Sequence, residues 1–347
     1  MEKLLTVVIA AYNMEKYLPR CLDSIMSEKV RDRVQVIVIN DGSKDKTSEI
    51  AHRYEDKCPD YITVIDKENG NYGSCMNAGL SIATGKYFRT LDADDWYNTQ
   101  DYERFVDELA KTDADMIISE RYDFYEESKT VKEFHFKDDI VTNRDIDISA
   151  PLWNSSAFDH QFVMNITYKT RLVKESGLRW SEGIFYSDSE FSYWPLRYVK
   201  TIRFIPYAVY YYFKGRSDQS MSINSLKRNF YSADIVANKL LDDFLINAKE
   251  GSPVYILQKK HVLGVLARFY LRLLFGGSKE KKSILSLEDK LKSNLQLYKE
   301  SAYLDSFKGI YYIEEYRQKS FKYIFCKLYF TLGNSKLINR VKKIVSK

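Results

Sequence analysis

Val34-Gln35-Val36-Ile37-Val38-Ile39-Asn40-Asp41-Gly42-Ser43 begins as a run rich in β-branched residues and stops on an amide, an acid and a glycine. β-branched side chains suit a buried pleated surface, whereas Asn, Asp, Gly and Ser favour turns. The stretch therefore reads as a buried strand from Val34 to Ile39 that ends in a polar turn. The same pattern recurs on both sides. Thr6 to Ala10 precedes Ala11-Tyr12-Asn13, Ile62 to Ile65 precedes Glu68-Asn69-Gly70-Asn71, and Tyr87 to Leu91 precedes Asp92-Ala93-Asp94-Asp95. A fifth strand is expected over Met116 to Ser119. Between the strands, Glu15 to Met26, Thr47 to Lys57, Ser74 to Ala83 and Asp101 to Ala110 have the apolar spacing of crossover helices. Strands alternating with helices predict an α/β fold on a mostly parallel sheet, with ligands bound beyond the carboxyl ends of the strands.

Acids and amides gather at those ends. A dinucleotide site of the G-x-G-x-x-G type is excluded because the first turn, Ala11-Tyr12-Asn13, holds no glycine, and no Walker A sequence is present. A nucleotide would then be held by side chains, with a divalent metal in place of a glycine-rich cradle. Asp92 and Asp94 suit that task, since carboxylates are hard ligands for Mg²⁺ or Mn²⁺ and leave positions open for diphosphate oxygens. Acid-rich strand ends also serve as turns and helix caps, and Asp95 reads equally well as the start of the next element.

The composition agrees with a protein that buries a large core: 347 residues, 45% hydrophobic and 29% charged. Its net charge of +5 is concentrated in one place. Nine of the 53 Lys and Arg fall between Tyr316 and Lys347, where there is no Asp or Glu, leaving 44 basic against 48 acidic residues elsewhere. That balance argues against nucleic acid as a partner of the main body. Cys21, Cys58, Cys75 and Cys326 form no C-x-x-C pair, and His52, His135, His160 and His261 have no metal-like spacing. Leu4 to Ala11 reads as a core strand rather than a secretory segment, and charges interrupt every long apolar run. A cytoplasmic protein at the inner face of the cell membrane is expected.

Five ordered motifs add a resemblance: Val7-Val8-Ile9-Ala10-Ala11-Tyr12-Asn13; Val38-Ile39-Asn40-Asp41-Gly42-Ser43 with Asp45 and Thr47; Asn77-Ala78-Gly79; Ala83-Thr84-Gly85-Lys86-Tyr87; and Leu91-Asp92-Ala93-Asp94-Asp95. Over about the first 120 residues the chain resembles family 2 glycosyltransferases. The resemblance implies a GT-A fold, a nucleotide-sugar donor, Mn²⁺ or Mg²⁺, and inversion at the anomeric carbon. It places Ala11, Tyr12, Asn13 and Glu15 beside the nucleoside, with Asp41 on the base. Asp92 and Ala93 fall at the ribose or metal, and Asp94 on the metal. Lys67 and Asn77 are candidates for the diphosphate and donor sugar. The chain departs from the family pattern at Ala10-Ala11 and across Gly70 to Met76.

Inverting transfer needs a base for the acceptor hydroxyl. Within Trp180-Ser181-Glu182-Gly183-Ile184-Phe185-Tyr186-Ser187-Asp188-Ser189-Glu190-Phe191, Asp188 matches the family's base, with Glu190 and Glu182 as alternatives. Asp188 reads otherwise as the cap of a helix running to Tyr198. Tyr210-Tyr211-Tyr212-Phe213-Lys214-Gly215-Arg216 resembles the family's aromatic strand and Arg loop, which implies a guanidinium, Arg216, near the leaving diphosphate.

The domains expected are a catalytic GT-A domain over 1–223, with a nucleotide-sugar half (1–120) and an acceptor half (121–223), then a helical region over 224–347. Helices are expected over Phe230 to Asn247, Pro253 to Phe275, Leu287 to Lys299, Phe321 to Leu332 and Ser335 to Val345, with a loop over Gly276 to Lys282. The basic amphipathic tail, 316–347, mixes aromatics with lysines as a membrane-interface segment does, or is an ordinary solvated helix. The leading reading is a hexosyltransferase that moves a hexose or N-acetylhexosamine from a UDP-sugar to a glycan or lipid-linked oligosaccharide. Transfer to polyprenyl phosphate and a non-catalytic nucleotide-sugar-binding scaffold are the alternatives. Oligomeric state is left open.

Overall fold

The computed structural model describes residues 3–137, 140–150, 163–216, 225, 228–271, 278–303 and 312–318. The chain forms two compact units, Met1–Gln219 with Lys249–Leu257, and Ser220–Ala248 with Gln258–Lys347.

The first unit is built on a mixed sheet whose long ladders are parallel. Strands β1 (Leu5–Ala11), β2 (Val34–Asp41), β3 (Ile62–Lys67) and β4 (Tyr87–Asp92) alternate with helices α1 (Leu18–Ile25), α2 (Thr47–Lys57), α3 (Asn71–Ile82) and α4 (Thr99–Leu109). Further strands are β5 (Trp96–Tyr97), β6 (Met116–Tyr125), β7 (Thr130–Phe134), β8 (Asp145–Asp147), β9 (Ile166–Lys169) and β10 (Thr201–Lys214). The order is β3-β2-β1-β4-β9-β6-β10-β5, with β7 beside β6 and β8 beside β10. β1, β2, β3 and β4 run parallel, as do β6 and β10, whereas β9 lies antiparallel between β4 and β6.

Both faces of the sheet are covered at β1 and β2, so these two strands are close to continuous apolar runs. Val7, Ile9, Val36 and Val38 pack with α1, α2 and α4 in one cluster. Their neighbours Val8, Ile37 and Ile39 belong to the cluster on the other face, with Met76, Trp180 and Phe191. Because β1 to β4 are parallel, Ala11, Asp41, Lys67 and Asp92 all finish on the same edge.

Three sequence expectations are corrected here. The helix expected from Asp188 to Tyr198 ends as α6 (Asp188–Tyr193), after α5 (Thr170–Glu175), and continues as a 3₁₀ turn over Trp194–Tyr198. Pro195 has no N–H for an α-helical bond, which accounts for the change. In the second unit, the helices are α7 (Phe230–Asn247), α8 (Tyr255–Leu271, begun in the first unit), α9 (Ser278–Lys292), α10 (Leu295–Ser301) and α11 (Tyr312–Arg317). Ser278 to Lys282, expected as loop, therefore starts α9, whose Lys and Glu are good helix formers. The single helix expected over Leu287 to Lys299 breaks at Ser293-Asn294, where Asn294 Oδ1 caps Leu297 N at 3.0 Å. Gly276, Gly277 and 319–347 lie outside the described residues, so the tail helices do too.

Candidate active site

The two loops after β1 and β2 bind each other. Asn13 adopts φ +53°, its N–H donates to Ser43 Oγ at 3.0 Å, and Lys44 N donates to its Oδ1 at 2.8 Å. Glu15 N donates to Asp45 Oδ2 at 3.1 Å, and Glu15 Oε2 accepts from Lys46 N at 3.0 Å. Asn13 and Glu15 thus hold the two loops together. Tyr12 stands exposed beside them, and Ala11 is buried at the end of β1.

Asp41 is buried at the end of β2, and its Oδ1 accepts from Lys67 Nζ and Gly70 N, each at 2.9 Å. Lys67 also donates to Ser74 Oγ at 2.9 Å. A buried carboxylate needs such a partner, so Lys67 neutralises Asp41 in this structure. Gly42 turns the chain with φ +71°, a conformation glycine adopts without strain. A Cβ there would also lie 2.9 Å from Asn69 N.

At the end of β4, Asp92 is pushed up to about 7, first by burial and then by the charges of Asp94 and Asp188. Ala93 is buried between the two acids. Asp94 Oδ2 pairs with Arg216 Nη1 at 3.1 Å, and its carbonyl accepts from Arg20 Nη2 at 2.8 Å. Arg20 is held in turn against the rings of Trp96 and Phe213, at 3.7 and 4.9 Å. Asp95 leads directly into β5. It is buried, accepting from Tyr210 Oη at 2.6 Å and from Phe213 N at 2.7 Å. The same hydroxyl accepts from Asp92 N at 3.1 Å, so β10 fastens the acidic turn.

Asp188 comes to this turn from far along the chain. It is the first residue of α6 rather than its cap, which is Ser187 and makes no side-chain capping bond. Its charge raises Asp92 and adds to the raising of Tyr72, whose phenol is pushed up mainly by burial. Arg216 reaches the same place from the end of β10, with Met14 Sδ 3.2 Å from Nη1.

The structure thus gathers Asp92, Asp94, Asp188 and Arg216, with Asp41 and Lys67 as a neighbouring pair. It engages three other candidates elsewhere. Asn77 bonds Trp180 and Glu182, so Glu182 has a partner, and Glu190 is fully buried against Ser181. Sequence reasoning missed Arg20, Tyr72 and the fastening role of Tyr210. Arg20 carries no readable signal, because an Arg on an amphipathic helix looks solvated, and Tyr210 merges into an aromatic run.

The donor set fits a hard divalent cation. Asp92, raised by the charges of Asp94 and Asp188, would be relieved by a cation beside it, and two carboxylates plus diphosphate oxygens suffice for Mg²⁺ or Mn²⁺. Among the described residues there is no cluster of three or more acidic, His or Cys ligands, so the phosphates would complete the sphere.

The glycosyl transferase family 2 model matches residues 6–166, which run from β1 through the acidic turn to β9. Residues 6–166 of this chain therefore carry the pattern of glycosyl transferase family 2. Among curated proteins it resembles Glycosyltransferase GlyA of Streptococcus pneumoniae serotype 4, 29% identical over 174 residues, or 50% of this chain and 23% of that protein. It also resembles the minor teichoic acid biosynthesis protein GgaB of Bacillus subtilis, 26% identical over 261 residues, or 72% of this chain and 28% of that one. The first curated relatives it matches are spanned over only 23–61% of their length. In fold, S. aureus TarS 1–349 in complex with UDP-GlcNAc superposes with a TM-score of 0.63 at 18% identity, covering 91% of this chain and 92% of that one. The fold of this chain is therefore the GT-A fold.

Proposed function

We propose that the chain is an inverting, metal-dependent family 2 glycosyltransferase that transfers a hexose or N-acetylhexosamine from a UDP-sugar to the glycan of a cell-surface polysaccharide, lipid-linked during assembly. The observation that carries this reading is the convergence of Asp92, Asp94, Asp188 and Arg216 at one sheet edge. A binding scaffold has no need of a third carboxylate brought in from α6. The teichoic acid assignment of GgaB and the UDP-GlcNAc bound to TarS support the choice of pathway and donor.

Asp41, backed by Lys67, is suited to accept a hydrogen bond from the nucleobase, with Tyr12 exposed alongside. Asp92 and Asp94 would hold Mn²⁺ or Mg²⁺, which when bound supplies neutralising charge to the departing diphosphate. Arg216 offers fixed, charge-assisted donors to the same phosphate oxygens. An Asp188 oxygen takes the proton from the acceptor hydroxyl as the acceptor oxygen bonds to the anomeric carbon. The bond from carbon to diphosphate breaks on the opposite side, and its electron pair leaves with the nucleotide.

Release of nucleotide from a panel of nucleotide sugars, with Mn²⁺ and lipid-linked acceptors, tests the reading. Asp188→Asn should lower kcat by about 10²–10⁴-fold, the contribution of a general base, while leaving UDP affinity intact. Nucleotide binding without turnover by the wild-type chain would defeat the proposal.

A further inference from the structure

Asn77, on α3 of the nucleotide half, donates both of its amide N–H groups to a segment 103 to 105 residues later. Nδ2 donates to Trp180 O at 3.0 Å and to Glu182 Oε1 at 2.8 Å, and Oδ1 accepts from Trp180 N at 3.0 Å. Trp180 is thereby gripped through both of its backbone polar groups. Its buried ring stacks on Phe191 of α6, with centroids 5.8 Å apart and planes 21° apart, and meets Phe88 of β4 at 6.2 Å. Phe191 lies one helical turn beyond Asp188, so whatever fixes Trp180 fixes α6.

The neighbouring contacts draw the segment the same way. Fully buried Glu190 accepts from Ser181 N and Oγ, both at 2.7 Å. Gly183 N donates to Gly70 O at 2.8 Å, and Gly70 N donates to Asp41. α3 approaches so closely that a Cβ on Gly73 would lie 2.1 Å from Ser181 O.

We propose that Asn77 is a positioning residue for the transfer reaction: it clamps 180–182 onto α3 and so sets Asp188 against the donor pocket. This rests on the reading of Asp188 as base. Its amide hydrogens are already used by the protein, so Asn77 acts through Trp180 and α6 rather than on the donor sugar.

Asn77→Asp tests the clamp, because the side chain keeps its shape and still accepts from Trp180 N. It turns an acceptor toward Trp180 O and a charge toward Glu182. In the full chain, kcat should fall about 10²-fold, as a misplacement of about 1 Å costs, with the affinity for UDP and Mn²⁺ unchanged. Amide exchange should quicken in 181–187 and stay slow in β1 to β4. Asn77→Asp combined with Glu182→Gln should regain part of the loss, since the amide introduced by the second substitution can donate to the carboxylate introduced by the first. Asn77→Ser, which adds no charge, should act in the same direction more weakly and covers the case of an unfolded Asn77→Asp variant. An unchanged kcat, or a UDP affinity that falls in step with kcat, would overturn the proposal. The exchange comparison needs no turnover. If the wild-type chain cleaves no nucleotide sugar the functional reading fails, and unaltered exchange in 181–187 would separately sink the clamp.

Discussion

Asp92 carries the electrostatic cost of the site. Its carboxyl, ordinarily near 3.8, is pushed up to about 7 by burial and by Asp94 and Asp188. Between those two values the folded chain holds a proton that the unfolded chain has released, so metal-free stability falls as pH rises through that window. Above about 7 the whole cost is present. Asp92→Asn should therefore raise the Tm of the metal-free protein at pH 8, a gain on the order of 4 kcal/mol, and change little at pH 4. Thermal melts at the two pH values check this. The same variant should lose the stabilisation that Mn²⁺ with UDP confers on the wild type, because a ligand stabilises only the state that binds it. Equal gains at both pH values would mean that Asp92 is not charged at the cost of the fold.

At the scale of elements, the acidic turn after β4 is held from β10. Tyr210 accepts from Asp92 N and donates to Asp95, while Phe213 N donates to the other Asp95 oxygen. Tyr210→Phe keeps the ring that packs on Tyr97 and removes both bonds. A buried acceptor left without its donor costs about 1–3 kcal/mol. Denaturant unfolding should show that loss, and Mn²⁺ affinity should drop with it because the turn presenting Asp92 and Asp94 is loosened. A loss of stability with metal affinity intact would show that β10 supports the sheet but not the turn.

At the scale of the whole molecule, the helical unit takes in part of the basic C-terminal segment. Arg317, the first of its nine cations, donates to Glu288, to Tyr298 O at 2.7 Å and to Ser301 Oγ at 2.8 Å, and lies 3.8 Å from the Tyr298 ring. Glu288 also accepts from Tyr270. Arg317 is thus an internal brace, unlike the surface charge that a lipid-binding reading of the segment requires. Removal of the residues after Gln318 leaves this brace in place. The full chain should sediment with phosphatidylglycerol vesicles at low salt and release as salt rises, as screening demands, while the shortened chain should stay in solution. Equal sedimentation of the two would count against a membrane role for the tail. No helix among the described residues is long and apolar enough to cross a membrane.

The sequence by itself determined the strands β1 to β4, their intervening helices and the polar turns that end them. These are local matters: β-branched runs, helical spacing and turn residues lie within a few positions of one another. It also placed Asp92, Asp94 and Asp41 on one edge, because parallel strands must share an end. Only the tertiary structure decided which polar groups are left for chemistry. Lys67 is neutralised by Asp41, Asn77 is spent on Trp180 and Glu190 is buried against Ser181, and each pairing depends on segments that meet only on folding. The antiparallel β9 was equally hidden, since the short run Ile166-Thr167-Tyr168-Lys169 carries too little pattern to give a direction. Pairing across the sheet chose it.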